Sequence, residues 1–338
     1  MKKIRILVSD TFDPAFNLAT EDYIFRDMNP EEPVLFLWRN EKTVVIGRFQ
    51  NPWTECHTKK MEEDGITLVR RQSGGGAVYH DLGNTNFTFM SSRESYDKEA
   101  NSKLIIDALS YFGVTALTSG RNDILAVTEE GEKKISGSAF KETKDRCFHH
   151  GTLLIDADLS KLGNYLNPHQ KKLVSKGITS VRARVTNLKE INPLISHESL
   201  SQKIIELFQQ FHGVTASVER LSRSELEQSP KMMEYFNKYS DWQWRFGETP
   251  QFNHQMTERF SWGLMEVHLD VHKAQVVECQ IFSDSLHPEM IEEIMATLKN
   301  SPYNKASFTL ALDGLATRFP MYAEYLKEFS LWLSGEIQ

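Results

Sequence analysis

The run RRQSGGGAVYHDLGN, Arg70 to Asn84, sets two arginines beside three consecutive glycines, with only Gln72 and Ser73 between them. Successive backbone N–H groups that no side chain screens form a concavity suited to an anion, and glycine lets a ligand approach closely. An arginine fork matches the oxygens of a phosphate or a carboxylate. Two common phosphate-binding patterns do not fit. No lysine stands where a P-loop needs one, and Tyr79 occupies the place of the third glycine of a dinucleotide-binding turn. By itself the run reads equally well as a tight turn between two strands with no ligand.

Further residues of the same kind of chemistry lie downstream, in RND (Arg121–Asp123), KISGSAF (Lys134–Phe140) and FHHGTLLID (Phe148–Asp156). A lysine on a hairpin strand is a natural electrostatic partner for an anion held by the glycine loop. Asp123 could carry a Mg²⁺ ion or simply cap the start of a strand. His80 could touch a ligand or brace the loop. His149 and His150 are adjacent on an apolar strand, so they point to opposite faces and at most one can serve a site. His268, Asp270 and His272 share one strand face, but without the partner pattern of a zinc site this reads as a solvated face. Arg182 and Arg184 alternate with apolar residues in GITSVRARVTNL, Gly177 to Leu188, as on an edge strand.

These residues need a scaffold, and the chain of 338 residues is long enough for two domains. Its 40% hydrophobic and 25% charged residues can bury a sizeable core. A net charge of −7 argues against a general nucleic-acid binder, although a local basic patch at Arg70 and Arg71 could serve a small phosphorylated ligand. Cys56, Cys147 and Cys279 form no CxxC pair, which suits a reducing compartment rather than a disulfide or zinc framework. With no signal-like N-terminal segment and no 18-residue apolar run, a soluble cytoplasmic protein is expected, with no membrane partner.

Asp13-Pro14 reads as an N-cap with proline at the first helical position, and Phe16, Ala19 and Tyr23 continue a helix towards Met28. VLFLW and TVVIGR, separated by RNEK, predict a hairpin. Leu200, Ile204, Leu207 and Phe211 predict one buried face of a helix that stops at Gly213. A composition shift at Gly247–Phe252 marks a linker; beyond it come a hairpin and helices around Glu289–Lys299, Ser307–Arg318 and Met321–Leu333. The expected fold is α/β (α+β), with a mixed, largely antiparallel sheet in a domain of residues 1–246 and a small α+β domain of residues 253–338.

Taken together and in this order, RRxSGGGAVYHDLGN and the lysine of KISG resemble the lipoate–protein ligases, of the two-domain bacterial type. FLWRN, TVVIGR, NPW and MEEDG upstream, and GITSVRARVTNL downstream, extend the resemblance along essentially the whole chain. It implies a biotin/lipoate protein ligase-like catalytic domain, and a reaction in which lipoate and ATP give lipoyl-AMP and pyrophosphate. The lipoyl group then passes to a lysine of an apo lipoyl domain, in the E2 subunits of 2-oxoacid dehydrogenases or the glycine-cleavage carrier protein. The resemblance makes Lys134 the catalytic residue, touching both lipoate and ATP. It carries over Arg71, Gly76, Ala77, Val78 and Tyr79 as ATP contacts, and Ser73, Gly74, Gly75 and His80 on the lipoate side. Asp123 would hold Mg²⁺, the segment with Arg182 and Arg184 would fold over the adenylate, and the enzyme would be a monomer. Two alternatives stand beside this reading. An ATP-independent octanoyl or lipoyl transferase would place a cysteine nucleophile in the region of KGITSVRARV, where this chain has no thiol. A catalytically silent lipoyl-domain-binding protein would have no use for an anion site next to a lysine.

Overall fold

A computed structural model describes residues 3–120, 122–167, 185–246 and 254–337. The chain divides into two compact units. The first comprises Met1–Ile46, Pro52–Arg71 and Ala77–Phe246; the second comprises Gly47–Asn51, Gln72–Gly76 and Gly247–Gln338.

In the first unit the strands are β1 (Arg5–Ser9), β2 (Val34–Trp38), β3 (Thr43–Ile46), β4 (Thr67–Arg70), β5 (Val78–His80) and β6 (Asn84–Ser92), then β7 (Ala116–Ser119), β8 (Asp123–Thr128), β9 (Gly131–Glu142), β10 (Arg146–Leu154) and β11 (Val218–Leu221). Eight of them form one mixed sheet in the order β11-β1-β2-β6-β10-β9-β8-β7. β1 runs parallel to both its neighbours, and the remaining pairs are antiparallel. β3, β4 and β5 make a separate three-stranded sheet. The expected hairpin between VLFLW and TVVIGR is therefore not formed. β2 is already paired on both edges by β1 and β6, so the RNEK segment carries the chain into the second sheet.

Alternation sorts the side chains of the large sheet. Leu35, Leu37, Phe87, Phe89 and Leu153 face a core shared with the helices Lys98–Tyr111 and His197–His212. Phe36, Trp38, Met90 and Phe148 face the other way, towards α1 (Pro14–Asp27) and the helix Pro230–Ser240. Each fully buried side chain of this size contributes about 1.5–3 kcal/mol. α1 starts as the sequence suggests: Asp13 accepts hydrogen bonds from the N–H of Ala15 and Phe16 at 2.9 and 3.1 Å, and Pro14 follows it. That cap contributes about 1 kcal/mol.

The helix His197–His212 is rotated from the expected face. Leu200, Ser201, Ile204, Ile205 and Phe208 are buried, whereas Phe211 is 60% exposed. The buried residues follow an i, i+4, i+8 row, which Phe208 continues and Phe211 leaves. Gly213, at φ +66°, ends the helix in the left-handed region.

The second unit contains the antiparallel sheet β12 (His254–Phe260), β13 (Gly263–His272) and β14 (Gln275–Ser283). The helices Pro288–Leu298, Lys305–Arg318 and Ala323–Glu336 complete it. Its core joins Met265, Val267, Leu269 and Ile281 to Ile291, Phe308, Leu312 and Phe329. His268 corrects the expectation of a solvated strand face: it is buried and meets Glu266 Oε1 at 2.7 Å. The linker expected at 247–252 lies outside the described residues.

Candidate functional site

Lys134 owes its direction to a fault in the β8–β9 ladder. Asp123 pairs with Gly137 and Ile124 with Ser136, but Leu125 pairs with Lys134, so β9 carries one extra residue. Strict alternation would send Lys134, three residues from Gly137, to the opposite face. The bulge returns it to the face of Gly137 and Asp123, while Ile124 and Ile135 stay in the core. There its Nζ lies 2.7 Å from Asp123 Oδ1. The two side chains are 27% and 14% exposed, shielded enough for their attraction to be stronger than at an open surface. Gly137 leaves the space the lysine occupies: a Cβ there would lie 2.9 Å from Nζ and 3.2 Å from Cε.

The surrounding backbone is pinned. Asn122 donates from Nδ2 to Ser138 O at 2.7 Å, and Ser138 N–H donates to Asn122 O at 2.8 Å. Gly137 N–H donates to Thr152 Oγ1 at 3.1 Å. Thr186 N–H donates to Lys134 O at 3.1 Å, and Val185 bridges to the same residue. The described end of GITSVRARVTNL thus runs beside the lysine, whereas Arg182 and Arg184 lie outside the described residues, as does Arg121.

A buried polar network forms a second cluster in the same unit. Trp38 Nε1–H donates to Thr88 Oγ1 at 3.1 Å, and Thr88 Oγ1–H donates to Glu21 Oε1 at 2.6 Å. His150 Nδ1 meets the Glu21 carboxylate at 2.9 and 3.1 Å. His150 therefore faces this network, and His149 goes to the opposite side among Phe87, Phe89 and Phe140, as alternation requires. Arg71 is buried, with Nη1 donating to Val45 O at 3.1 Å. Burial lowers its pKa to about 10, against the opposing influence of Glu21.

The hydrogen bonds favour one tautomer of His80. Asn17 Nδ2 shares its two protons among the carbonyls of Thr11 and Arg39 and Asn40 Oδ1, an arrangement in which Asn40 turns its Nδ2 towards His80 Nδ1, 3.2 Å away. Nδ1 accepts, and the proton is left on Nε2. That Nε2 is buried with no hydrogen-bond partner among the described residues. An unmet buried donor costs about 1–3 kcal/mol, and a ligand acceptor would relieve it. Burial, with Arg71 and His150 adding to it, pushes the His80 pKa down to about 3, so the ring is neutral at physiological pH.

The sequence pair Arg70-Arg71 does not act as one basic patch. Arg70 donates from Nε to Trp244 O at 2.9 Å and from Nη2 to Arg245 O at 3.0 Å, which makes it a structural staple. No local motif marks Glu21, Trp38, Thr88 and Asn40 as members of a site. Asn17 and Glu21 stand at i, i+4 on α1, and that shared face is the available signal.

Ser73, Gly74, Gly75 and Gly76 belong to the second unit. Arg48 N–H donates to Ser73 O at 2.9 Å, and Gly75 N–H donates to Ser285 O at 2.9 Å. The expectation of successive open N–H groups is thus corrected at Gly75. The glycines answer to crowding: a Cβ on Gly74 would lie 2.0 Å from Ser285 O, and Gly75 has φ +87°. Ala77, Val78 and Tyr79 lead into and along β5, in the first unit, where Tyr79 packs on Tyr165 with ring centres 5.7 Å apart.

Cys56, Cys147 and Cys279 are all buried and form no disulfide. Burial raises the pKa of Cys56 and of Cys279 to about 12, so neither presents a thiolate. For a protein-held Mg²⁺ the fit is incomplete: among the described residues no three His, Cys, Asp or Glu side chains could hold a metal ion, and Asp123 is ion-paired with Lys134. Among the described residues no helix is long and apolar enough to cross a membrane.

Comparison with known proteins gives a consistent result. Residues 13–209 match the family model of the lipoyl protein ligase A/B catalytic domain, and residues 249–333 match that of the bacterial lipoate protein ligase C-terminus. Among solved structures the chain is similar to P. falciparum LipL1 in complex with lipoate, with 32% identity, a TM-score of 0.87, and 98% of this chain and 99% of that one covered. It is similar to a bi-partite lipoate protein ligase from Thermoplasma acidophilum, described with its E2 lipoyl domain, at 28% identity and a TM-score of 0.63, covering 75% of this chain and 100% of that one. A lipoate-protein ligase A bound with ATP gives 28% identity and a TM-score of 0.62, over 73% of this chain and 99% of that one.

Proposed function

The chain belongs to the lipoate–protein ligase family, and from that premise we propose that it activates lipoate with ATP and transfers the lipoyl group to a lysine of an apo lipoyl domain. In the first step a lipoate carboxylate oxygen bonds to the α-phosphorus of ATP, the bond from that phosphorus to the bridging oxygen breaks, and pyrophosphate leaves. In the second step the acceptor amine bonds to the acyl carbon, AMP leaves, and the amine loses a proton.

The observation that carries this reading is the cradle of Lys134. Carboxylate and phosphate repel each other, so the first step needs a compact cation fixed between them, and Lys134 is held in place by Asp123 and by the space at Gly137. Such a charge stabilises the transition state by about 3–4 kcal/mol, by analogy with an oxyanion-hole donor. A planar arginine fork does not replace a point charge shared between two anions.

On this reading Arg71 and Gly76–Tyr79 contact ATP, and Ser73–Gly75 and His80 serve the lipoyl side. The His80 Nε2–H supports a ligand on that side, because it is a buried donor that meets no acceptor among the described residues. Mg²⁺ would arrive on the triphosphate, neutralising charge as part of the substrate. The similar proteins support each partner in turn, since they are described with lipoate, with ATP and with an E2 lipoyl domain. E2 domains and the glycine-cleavage carrier protein are the acceptors we propose, and three buried cysteines that form no disulfide suit work in the cytoplasm.

Incubating the protein with lipoate, MgATP and an apo lipoyl domain tests the reading by mass spectrometry. The domain should gain one lipoyl group only when ATP is present. Transfer from an acylated carrier protein without ATP would establish the transferase reading instead.

A further inference from the structure

Asp123 has more to do than the sequence suggested. We propose that Asp123 is the positioning residue of Lys134, holding one of its three N–H donors and leaving two for the reacting anions. The inference rests on the reading that Lys134 bridges lipoate and ATP.

A lysine stem has four rotatable bonds and loses much rotamer freedom when fixed. Without an anchor its ammonium would sample a volume much larger than the gap between two reactants. The structure supplies that anchor at 2.7 Å, on a carboxylate that is only 14% exposed. The backbone beside the anchor is pinned, because Asn122, the preceding residue, is bonded in both directions to Ser138 on β9. Lys134 is held from its other side by Thr186, and the bulge at Ile135 sets it on the face of Asp123. The bulge and Thr186 set the lysine backbone, and Asp123, itself pinned through Asn122, sets the ammonium. The donor count agrees: an ammonium has three N–H groups, and the adenylation step presents one carboxylate and one phosphate. A third acceptor is needed if no donor is to be left unmet, and Asp123 is that acceptor.

A metal-ligand role predicts something different for the same residue, so a double-mutant cycle in lipoate-dependent ATP–pyrophosphate exchange separates the two. Asp123→Asn keeps the shape and removes the charge. If Asp123 acts through Lys134, kcat falls by about 10²-fold, as expected for a misplaced catalytic group, while the KM for ATP and the Mg²⁺ concentration giving half-maximal rate are retained. Adding Asp123→Asn to Lys134→Ala then changes the residual rate by less than about twofold, since nothing remains to position. Losses that multiply in the double variant, or a rate restored by raising Mg²⁺, would overturn the inference. Asp123→Glu serves as a second variant that keeps the charge but moves it; it should lose rate without a greater Mg²⁺ requirement, and an unaltered rate would also count against the role. Absence of exchange in the wild-type protein would instead remove the ligase reading on which the proposal stands.

Discussion

A Cβ on Gly137 would come within 2.9 Å of the Lys134 ε-nitrogen, so the glycine in KISG is the empty half of a lysine site. The crowded atom is the far end of a flexible side chain, not backbone. Gly137→Ala should therefore push the ammonium aside and slow adenylation by about 10²-fold. Stability should fall by no more than about 1 kcal/mol, because the lysine can swing away. Exchange kinetics together with thermal unfolding check this; a large fall in melting temperature with intact kinetics would contradict it.

Gly83 presents the opposite case. A Cβ there would meet Asp156 O at 2.1 Å and Ala157 N at 2.6 Å, both backbone atoms that cannot yield cheaply. Gly83→Ala should destabilise the protein by about 1–3 kcal/mol or more. Gly163, in the short helix Leu162–Tyr165, has nothing among the described residues within 4 Å of such a Cβ, and Gly163→Ala should be neutral or gain up to about 1 kcal/mol. Denaturant unfolding of the two variants side by side reads the contrast.

Two buried histidines should make the fold sensitive to mild acid. Burial lowers the pKa of both His80 and His149 to about 3. The unfolded chain takes up their protons near pH 6.5 and the folded one does not, so stability is complete above that pH and is lost as pH falls towards 3. Each histidine then removes about 2 kcal/mol between pH 6.5 and pH 5. His149→Phe keeps an aromatic ring among Phe87, Phe89 and Phe140 and should flatten the pH dependence. Unfolding free energies at pH 7 and pH 5 that change equally in wild type and variant would speak against this.

The thiols should be silent. With Cys56, Cys147 and Cys279 buried, native protein should resist iodoacetamide, and replacing each by alanine should leave exchange activity within a few-fold of wild type. Loss of acyl transfer on blocking one thiol would revive the transferase reading.

Much of this was legible in the chain itself. Asp13-Pro14, Gly213 and the alternation of NTNFTFM declare their roles locally, because caps and strand faces depend on neighbours in sequence. Lys134 was found through its motif, but its direction was not, since a bulge depends on which residues the partner strand offers. The false hairpin has the same cause: VLFLW and TVVIGR are each good strands, and only β1 and β6 decide that they do not pair. Glu21 and Asn17 stayed hidden because a polar residue in a helix ordinarily faces water, and only the tertiary fold turns these inward.

The most direct measurement is ATP–pyrophosphate exchange with and without lipoate, on the wild-type protein and on Lys134→Ala. The account predicts exchange that requires lipoate and falls by at least about 10²–10³-fold in the variant, with the fold intact. Exchange that survives without Lys134, or a wild-type protein that exchanges nothing yet moves an acyl group from a carrier protein, would contradict it.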